Sequence, residues 1–259
     1  MTLESTHPVV LFDLDNTIFD QNHSLRSAIS AIQENYADLA GYGVEELIAR
    51  YNAALQQAYD KYLYKEITYE EAEVMKVQLF FTGFDLPKPT PEEVTDFRAT
   101  YKPAYRENRI ATPGSIETLI RLREDGYRLA IVSNGQINDQ TAKAEAIGIR
   151  HLVDRIVTSE EAGYCKPDHR IFEFSIEALG ASTQTTYMAG DSVDTDINGA
   201  LNAGLNAILY SPEAQTTQCL LFKKGVPIIR QMGQLLEHLS ITKPGWVPYF
   251  DTSMGSLEH

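Results

Sequence analysis

The chain has 259 residues, 43% of them hydrophobic, with 22 Lys and Arg against 36 Asp and Glu, a formal net charge of −14 at pH 7. That length allows one large domain or a core with an insert, and the acidic balance excludes general binding to nucleic-acid polymers or anionic membranes, which need a basic footprint. Cys165 and Cys219 are too few for a disulfide framework, no apolar run approaches bilayer length, and no basic, apolar leader opens the chain, so the expected location is a reducing cytoplasm.

The first predicted strand, Val9–Phe12, is a short apolar run of the kind buried on both faces of a parallel sheet. It runs directly into Asp13-Leu14-Asp15-Asn16-Thr17. If the extended backbone continues through Leu14, Asp13 and Asp15 point the same way, and two carboxylates in one small volume require a cation. The plainer alternative is a polar turn whose Asp and Asn side chains cap backbone groups.

From Thr17 to about Ala111 the pattern is helical. Leu25, Ala28, Ile29, Ile32, Tyr36 and Leu39 recur at three- and four-residue spacing behind a cap expected at Ser24. Leu47, Ile48, Tyr51, Leu55, Ala58, Tyr59 and Tyr62 repeat the period. Thr68-x-x-Glu71 and Thr90-Pro91-x-Glu93 are capping-box patterns, and Leu86-Pro87-Lys88-Pro89 breaks one helix from the next.

After Thr112-Pro113-Gly114, strands and helices alternate. The spacing predicts helix Ser115–Glu124, strand Arg128–Val132, helix Asn138–Ala146, strand Arg155–Thr158 and helix Asp168–Leu179. Strand Thr186–Ala189, helix Thr195–Ala203, strand Asn206–Tyr210, a last strand at Ile228–Ile229 and a closing helix over Met232–Leu239 follow. Alternation means βαβ units, hence an α/β fold: a parallel sheet with helices on both faces, plus an inserted all-helical domain. The predicted division is a core over 1–18 and 112–241, a helical insert over 19–111 and a tail over 242–259. The tail has no periodicity, and its Leu257-Glu258-His259 is similar to a purification-tag remnant.

Three further motifs sit in this frame. Ser133-Asn134-Gly135 follows the run Leu129–Val132, and Lys166-Pro167 stands just ahead of the Asp168 helix. Gly190-Asp191-Ser192-Val193-Asp194-Thr195-Asp196 follows Tyr187-Met188-Ala189. With the Asp13 motif, three of the four stand at the carboxyl ends of predicted strands, where open α/β sheets bind ligands. In this order they resemble the haloacid dehalogenase (HAD) superfamily, whose first motif reads Asp-x-Asp-x-Thr, and the resemblance covers residues 8–240.

That resemblance implies a Rossmann-like core with a helical cap inserted between the first and second motifs, moving on two joints at Thr17–Asn22 and Ile110–Gly114. It implies a Mg2+-dependent phosphomonoester hydrolase, a phosphatase acting on a small phosphorylated metabolite such as a nucleotide or sugar phosphate through an aspartyl-phosphate intermediate. Asp13 is then the nucleophile and Asp15 the general acid and later base. Thr17 holds the turn or the Asp13 carboxylate. Ser133 and the backbone N–H groups of Asn134 and Gly135 bind phosphate oxygens, and Lys166 offsets the charge of Asp13 and substrate. Asp13, the Asp15 backbone carbonyl and Asp191 hold the metal, with Asp196 orienting a metal water or ligating directly. Asp194 is expected to face solvent or cap a helix.

Each motif has a plainer reading alone: an Asn-Gly turn, a surface lysine before a helix, a carboxylate cluster capping the Thr195 helix. Cys165 is expected to be structural. The cap tyrosines Tyr36, Tyr42, Tyr51, Tyr59, Tyr62, Tyr64, Tyr69, Tyr101 and Tyr105 fall mostly on apolar stripes and are expected to pack its interior, and His23, Arg26, Lys102 and Arg106 are candidates to reach a distal anion. Within the superfamily, a 2-haloacid dehalogenase is disfavoured because a halide leaving group needs no proton and Asp15 is present; a phosphomutase is the other enzyme alternative. Outside enzymes, a binding protein that keeps the fold as a scaffold is disfavoured by the intact carboxylates and Lys166.

Overall fold

Strand β1, Val9–Phe12, is buried at all four positions and stands inside the sheet. The computed structural model describes residues 8–239, so the predicted tail over 242–259 lies outside the described residues. The other strands are β2 (Arg128–Ser133), β3 (Arg155–Thr158), β4 (Thr186–Gly190), β5 (Asn206–Tyr210), β6 (Gln218–Leu221) and β7 (Lys224–Ile229). They form one seven-stranded sheet in the order β3-β2-β1-β4-β5-β7-β6, parallel throughout except for the antiparallel pair β6–β7. The chain steps from β1 outward through β2 to β3, then returns to pair β4 on the other side of β1. That reversal opens a crevice at the carboxyl ends of β1 and β4, the usual ligand position in such sheets.

Both faces of β1 are covered, which is why its sequence is continuously apolar rather than alternating. Val10 and Phe12 pack with Leu119 and Leu122 of helix α5 (Ser115–Glu124), Ala144 of α6 (Ile137–Ala146) and Leu235 of α10 (Leu235–His238). Val9 and Leu11 pack on the opposite side with Ile171, Phe172 and Ile176 of α8 (His169–Leu179) and Ala200 of α9 (Asn198–Asn202). Only a short helix, α7 (Ser159–Ala162), intervenes between β3 and α8.

Some predicted elements shift. The strand expected at Ile228–Ile229 is the end of β7, which folds back from a hairpin partner, β6, that the sequence pattern does not predict. Strand β6 lies on the sheet edge with Gln218 and Leu220 exposed, so it has no buried run to read. Its turn places Phe222 and Lys223 at φ 49° and 64°, a conformation usually signalled by Asn or Gly. The predicted Thr195 helix opens instead as a π turn, Val193–Ile197, before α9, a widening common at functional sites.

Residues 21–107 form four helices: α1 (Gln21–Asn35), α2 (Val44–Leu63), α3 (Tyr69–Thr82) and α4 (Pro91–Glu107). They bury a cluster of their own around Leu25, Ile29, Ile32, Tyr51, Phe80 and Phe97. Both capping boxes form reciprocally, Thr68 with Glu71 and Thr90 with Glu93. The cap expected at Ser24 is one turn late: Asp20 caps α1 by accepting from the His23 N–H. Ser24 is buried instead and donates to the Asn108 carbonyl at 2.9 Å. The two crossings between helical unit and sheet pair with each other, since Asp20 N–H donates to Ile110 O at 3.0 Å and Thr112 N–H to Ile18 O at 2.8 Å.

Candidate active site

Asp13 extends the β1–β4 ladder by one residue, its N–H donating to Ala189 O at 2.9 Å. This sets its carboxylate beside Gly190 and Asp191 at the mouth of the crevice. The Lys166 ammonium donates to Asp13 Oδ1 at 2.6 Å and to Asp196 Oδ1 at 2.7 Å, and all three groups are buried. The second oxygen of Asp196 accepts from Ser192 N–H at 3.0 Å, so the π turn itself aims that carboxylate inward. Carboxylate oxygens of Asp13, Asp191 and Asp196 lie within 4.8 Å of one another. Gly190 makes room: a Cβ there would stand 2.3 Å from Asp196 Oδ2. Asp194 is exposed, as expected of a residue pointing away from this cluster.

The electrostatics are strained without a further cation. Burial pushes Asp13 up to about 8; Lys166 opposes the shift and Asp196, Asp191 and Asp15 reinforce it. Burial and Asp196 push Asp191 up to about 6, with Lys166 working against them. Burial pulls Lys166 down, but Asp13 and Asp196 outweigh it and hold the ammonium above the ordinary lysine value. One ammonium against three converging carboxylates is a hard, oxygen-only donor set with a charge deficit, which fits a divalent cation of the Mg2+ kind.

Asp15 goes elsewhere. The extended geometry stops at Leu14, whose carbonyl accepts from the N–H groups of Thr17, Ile18 and Phe19, and Asn16 takes the left-handed conformation at φ 63°. The Asp15 carboxylate therefore leaves the cluster and meets Lys143 of α6 at 2.8 and 3.0 Å and Gln140 Nε2 at 3.4 Å. The two aspartates do not share one volume. The buried Thr17 hydroxyl faces Asp191 Oδ1 at 3.5 Å rather than Asp13.

Ser133 ends β2 and is buried. Asn134 works through its side chain: Oδ1 accepts from Lys166 N–H at 2.7 Å and Nδ2 donates to Lys166 O at 3.0 Å, clamping the backbone that presents the ammonium. The Gly135 N–H expected for phosphate donates to Ser159 Oγ at 2.9 Å, so it is engaged within the protein. Gly135 is instead a contact surface, where a Cβ would stand 2.6 Å from Gln140 Nε2.

Gln140, Lys143, Asp139 and Arg109 are the neighbours that sequence reading missed. On the helix after β2, Asp139, Gln140 and Lys143 look like an ordinary polar face, whose only signal is the i, i+3 and i, i+4 spacing of Gln140 and Asp139 to Lys143; Arg109 stands in the connection after α4 and carries no signal. Burial of Gln140 and Lys143 appears only once α6 is laid beside Asp15.

The helical unit forms the roof. Tyr51, Phe97, Tyr101 and Tyr105 form a stack, with centroids 5.7–6.4 Å apart along Tyr51–Phe97, Phe97–Tyr101 and Tyr101–Tyr105, and Tyr105 meets Phe19 edge-on at 6.1 Å. Tyr36 and Tyr42 also pack the interior. Tyr64 does not, being 79% exposed. Tyr59 meets Tyr62, and Tyr62 meets Tyr69; burial, with Cys165 and Asp15 among the groups nearby, pushes the Tyr59 hydroxyl upward. Cys165 is half-buried and in no disulfide. Of the cap cations, His23 and Arg26 are exposed, Arg26 pairing with Glu45 at 2.5 Å, and Lys102 and Arg106 line a groove on α4 with Arg98. The ammonium that reaches Asp15 belongs to Lys143.

A buried lysine thus bridges two aspartates beside a third, at the switch point of a doubly wound sheet and under a helical roof. A family model, haloacid dehalogenase-like hydrolase, matches residues 7–204. The chain is 30% identical over 219 residues to a ribulose-1,5-bisphosphate 5-phosphatase of Halopiger xanaduensis, covering 80% of this chain and 86% of that protein. It is 39% identical over 130 residues to a glyceraldehyde 3-phosphate phosphatase of Methanothermobacter thermautotrophicus, covering 49% of this chain and 58% of that protein, so this match spans little more than half of that relative. Among solved structures, the HAD-hydrolase YfnB of Bacillus subtilis superposes with a TM-score of 0.70 at 21% identity, covering 92% of this chain and all of that one, a likeness of fold. The chain belongs to the haloacid dehalogenase-like hydrolase family and is an enzyme of that class. No helix of the described residues is long and apolar enough to cross a membrane.

Proposed function

We propose that the protein is a Mg2+-dependent phosphomonoesterase that hydrolyses a small phosphorylated metabolite in the cytoplasm, with neither a nucleic-acid polymer nor a membrane as partner. The observation that carries this reading is the separation of the two aspartates. Asp13 lies in the acidic cluster against Lys166, whereas Asp15 is held outside it by Lys143 and Gln140. A phosphoryl transfer to a carboxylate needs these two positions: a nucleophile among positive charges and a proton carrier on the leaving-group side. A halide leaves without a proton, so a dehalogenase has no use for the second. Similar proteins named as phosphatases of glyceraldehyde 3-phosphate, ribulose 1,5-bisphosphate and phosphoglycolate support the same chemistry.

In the first step an Asp13 oxygen forms a bond to phosphorus, the ester P–O bond breaks, and Asp15 gives its proton to the departing oxygen. In the second, Asp15 takes a proton from water, the water oxygen attacks phosphorus, and phosphate departs with Asp13 restored. Lys166 stays charged throughout and offsets the transferring phosphoryl group, while Asn134 fixes its position and Ser133 lines the phosphate side. Asp13, Asp191 and the Asp15 carbonyl would hold Mg2+, with Asp196 beside them and the Thr17 hydroxyl steadying Asp191; the ion supplies further positive charge to the phosphate oxygens. Asp13→Asn is expected to lower Mg2+-dependent phosphate release by about 10⁴-fold while leaving the fold intact. Substantial phosphatase activity in that variant, measured against EDTA-treated controls, sinks the assignment.

A further inference from the structure

Three buried side-chain polar atoms among the described residues have no hydrogen-bond partner: Gln140 Oε1, Arg109 Nε and Arg155 Nε. Arg155 belongs to β3 and pairs with Glu161. Of the other two, Gln140 touches Asp15, and Arg109 reaches the same cluster through Asp139, which also pairs with Lys143. Gln140 is 3% exposed, its amide nitrogen 3.4 Å from Asp15 Oδ2 and its side chain against Gly135. Arg109 lies at the second crossing, its side chain 7% exposed, with Nη2 3.5 Å from Asp139 Oδ1 and its guanidinium 5.7 Å from the Tyr105 ring centroid. A buried carbonyl oxygen and a buried N–H left open are unfavourable unless a ligand completes them.

Their place fits a ligand that the chemistry already supplies. Asp15, as proton donor, faces the departing oxygen, so the leaving group occupies the space next to Asp15 and hence next to Gln140. Lys143 is shared between Asp15 at 2.8 Å and Asp139 at 3.4 Å, and Arg109 leans on the same Asp139. The remaining walls are aromatic, with Phe19 5.7 Å from the Lys143 ammonium and Tyr105 against Phe19.

We propose that Gln140 and Arg109 form the specificity subsite for the leaving group, reading its uncharged hydroxyl or carbonyl oxygens. The preferred substrates are then phosphorylated short-chain hydroxy or hydroxy-carbonyl compounds rather than alkyl phosphates that lack such oxygens. This rests on the phosphomonoesterase reading above. A hydroxyl donates to Gln140 Oε1, and a carbonyl or ether oxygen accepts from Arg109 Nε.

The experiment measures kcat/KM with Mg2+ on glyceraldehyde 3-phosphate, glycerol 3-phosphate and n-propyl phosphate, which respectively offer a hydroxyl and a carbonyl, hydroxyls alone and neither. The protein is compared with Gln140→Leu and Arg109→Lys; the lysine keeps the charge and loses Nε. The expected result is a wild type that favours glyceraldehyde 3-phosphate over n-propyl phosphate. The ratio of glyceraldehyde 3-phosphate to n-propyl phosphate should fall about tenfold or more in Gln140→Leu and several-fold in Arg109→Lys. All three esters expel an alkoxide that needs a proton from Asp15, so a general disturbance of Asp15 or of folding lowers their rates together and leaves the ratio in place. A ratio constant within twofold in both variants, or a wild type that prefers n-propyl phosphate, overturns the subsite while leaving a phosphatase. No phosphate released from any of the three esters overturns the phosphomonoesterase reading and the subsite with it.

Discussion

The floor and the roof of the site are built on opposite principles. The floor, at the carboxyl ends of β1, β2 and β4, gathers like charges into a buried space and holds them with lysines: Asp13 and Asp196 on Lys166, Asp15 on Lys143. The roof buries rings, with Tyr51, Phe97, Tyr101 and Tyr105 stacked from the cap interior down to Phe19. A charged floor is costly to fold and has to be imposed by a rigid sheet. An aromatic roof supplies its own stability, so it can sit on two short crossings and still hold its shape. Gln140, beside Asp15, and Arg109, against Tyr105, stand on the line where the two regions meet.

This contrast can be broken at the roof. Phe97→Ala removes a fully buried ring from the centre of the stack and is expected to cost about 3–5 kcal/mol of stability, read by chemical denaturation. A cost below 1 kcal/mol would mean that the stack does not hold the cap together.

The floor is sharpened by adding the ion. With Asp191 raised to about 6 and Asp13 to about 8 in the folded protein against 3.8 for the free side chain, the folded state binds protons more tightly than the unfolded one. Their contribution is fully present below pH 3.8 and is lost as pH rises through about 6 and then about 8. Mg2+ needs the deprotonated carboxylates, so its stabilisation grows over that window and reaches about 2.7 kcal/mol at a hundred times its dissociation constant. Thermal unfolding with Mg2+ and with EDTA at pH 5 and pH 8 checks this: the gap in Tm is expected to widen at pH 8. An equal gap at both would place the cation away from these carboxylates.

A smaller effect tests the fit within the floor. Gly190→Ala drives a methyl to 2.3 Å from Asp196 Oδ2, and the repacking is expected to cost about 1–3 kcal/mol along with most of the activity. A variant as active and as stable as the parent would show that Asp196 has room to move.

Much of this was legible in the chain. The four-residue run before Asp13, the two capping boxes and the strand–helix alternation after Thr112 are local patterns, and the structure has them where periodicity and turn chemistry put them. Strand β6 was not legible, because an exposed edge strand turning through Phe222-Lys223 has neither a buried run nor a glycine. The Asp20 cap was missed because Ser24 carries the same signal one turn later.

For the site, residue type and order brought together Asp13, Asp191 and Asp196, since they follow the carboxyl ends of β1 and β4 and the sheet registers those ends side by side, with Lys166 supplied from the segment just before α8. Where the side chains point is a tertiary matter. Three N–H groups converging on the Leu14 carbonyl turn Asp15 away from Asp13. The clamp of Asn134 on Lys166 spans 32 residues, and the Lys143–Asp15 pair spans 128. No spacing rule reaches across such separations; only the packing of α6 against the β1 turn decides that a lysine and a glutamine on a plain polar helix face become neighbours of Asp15.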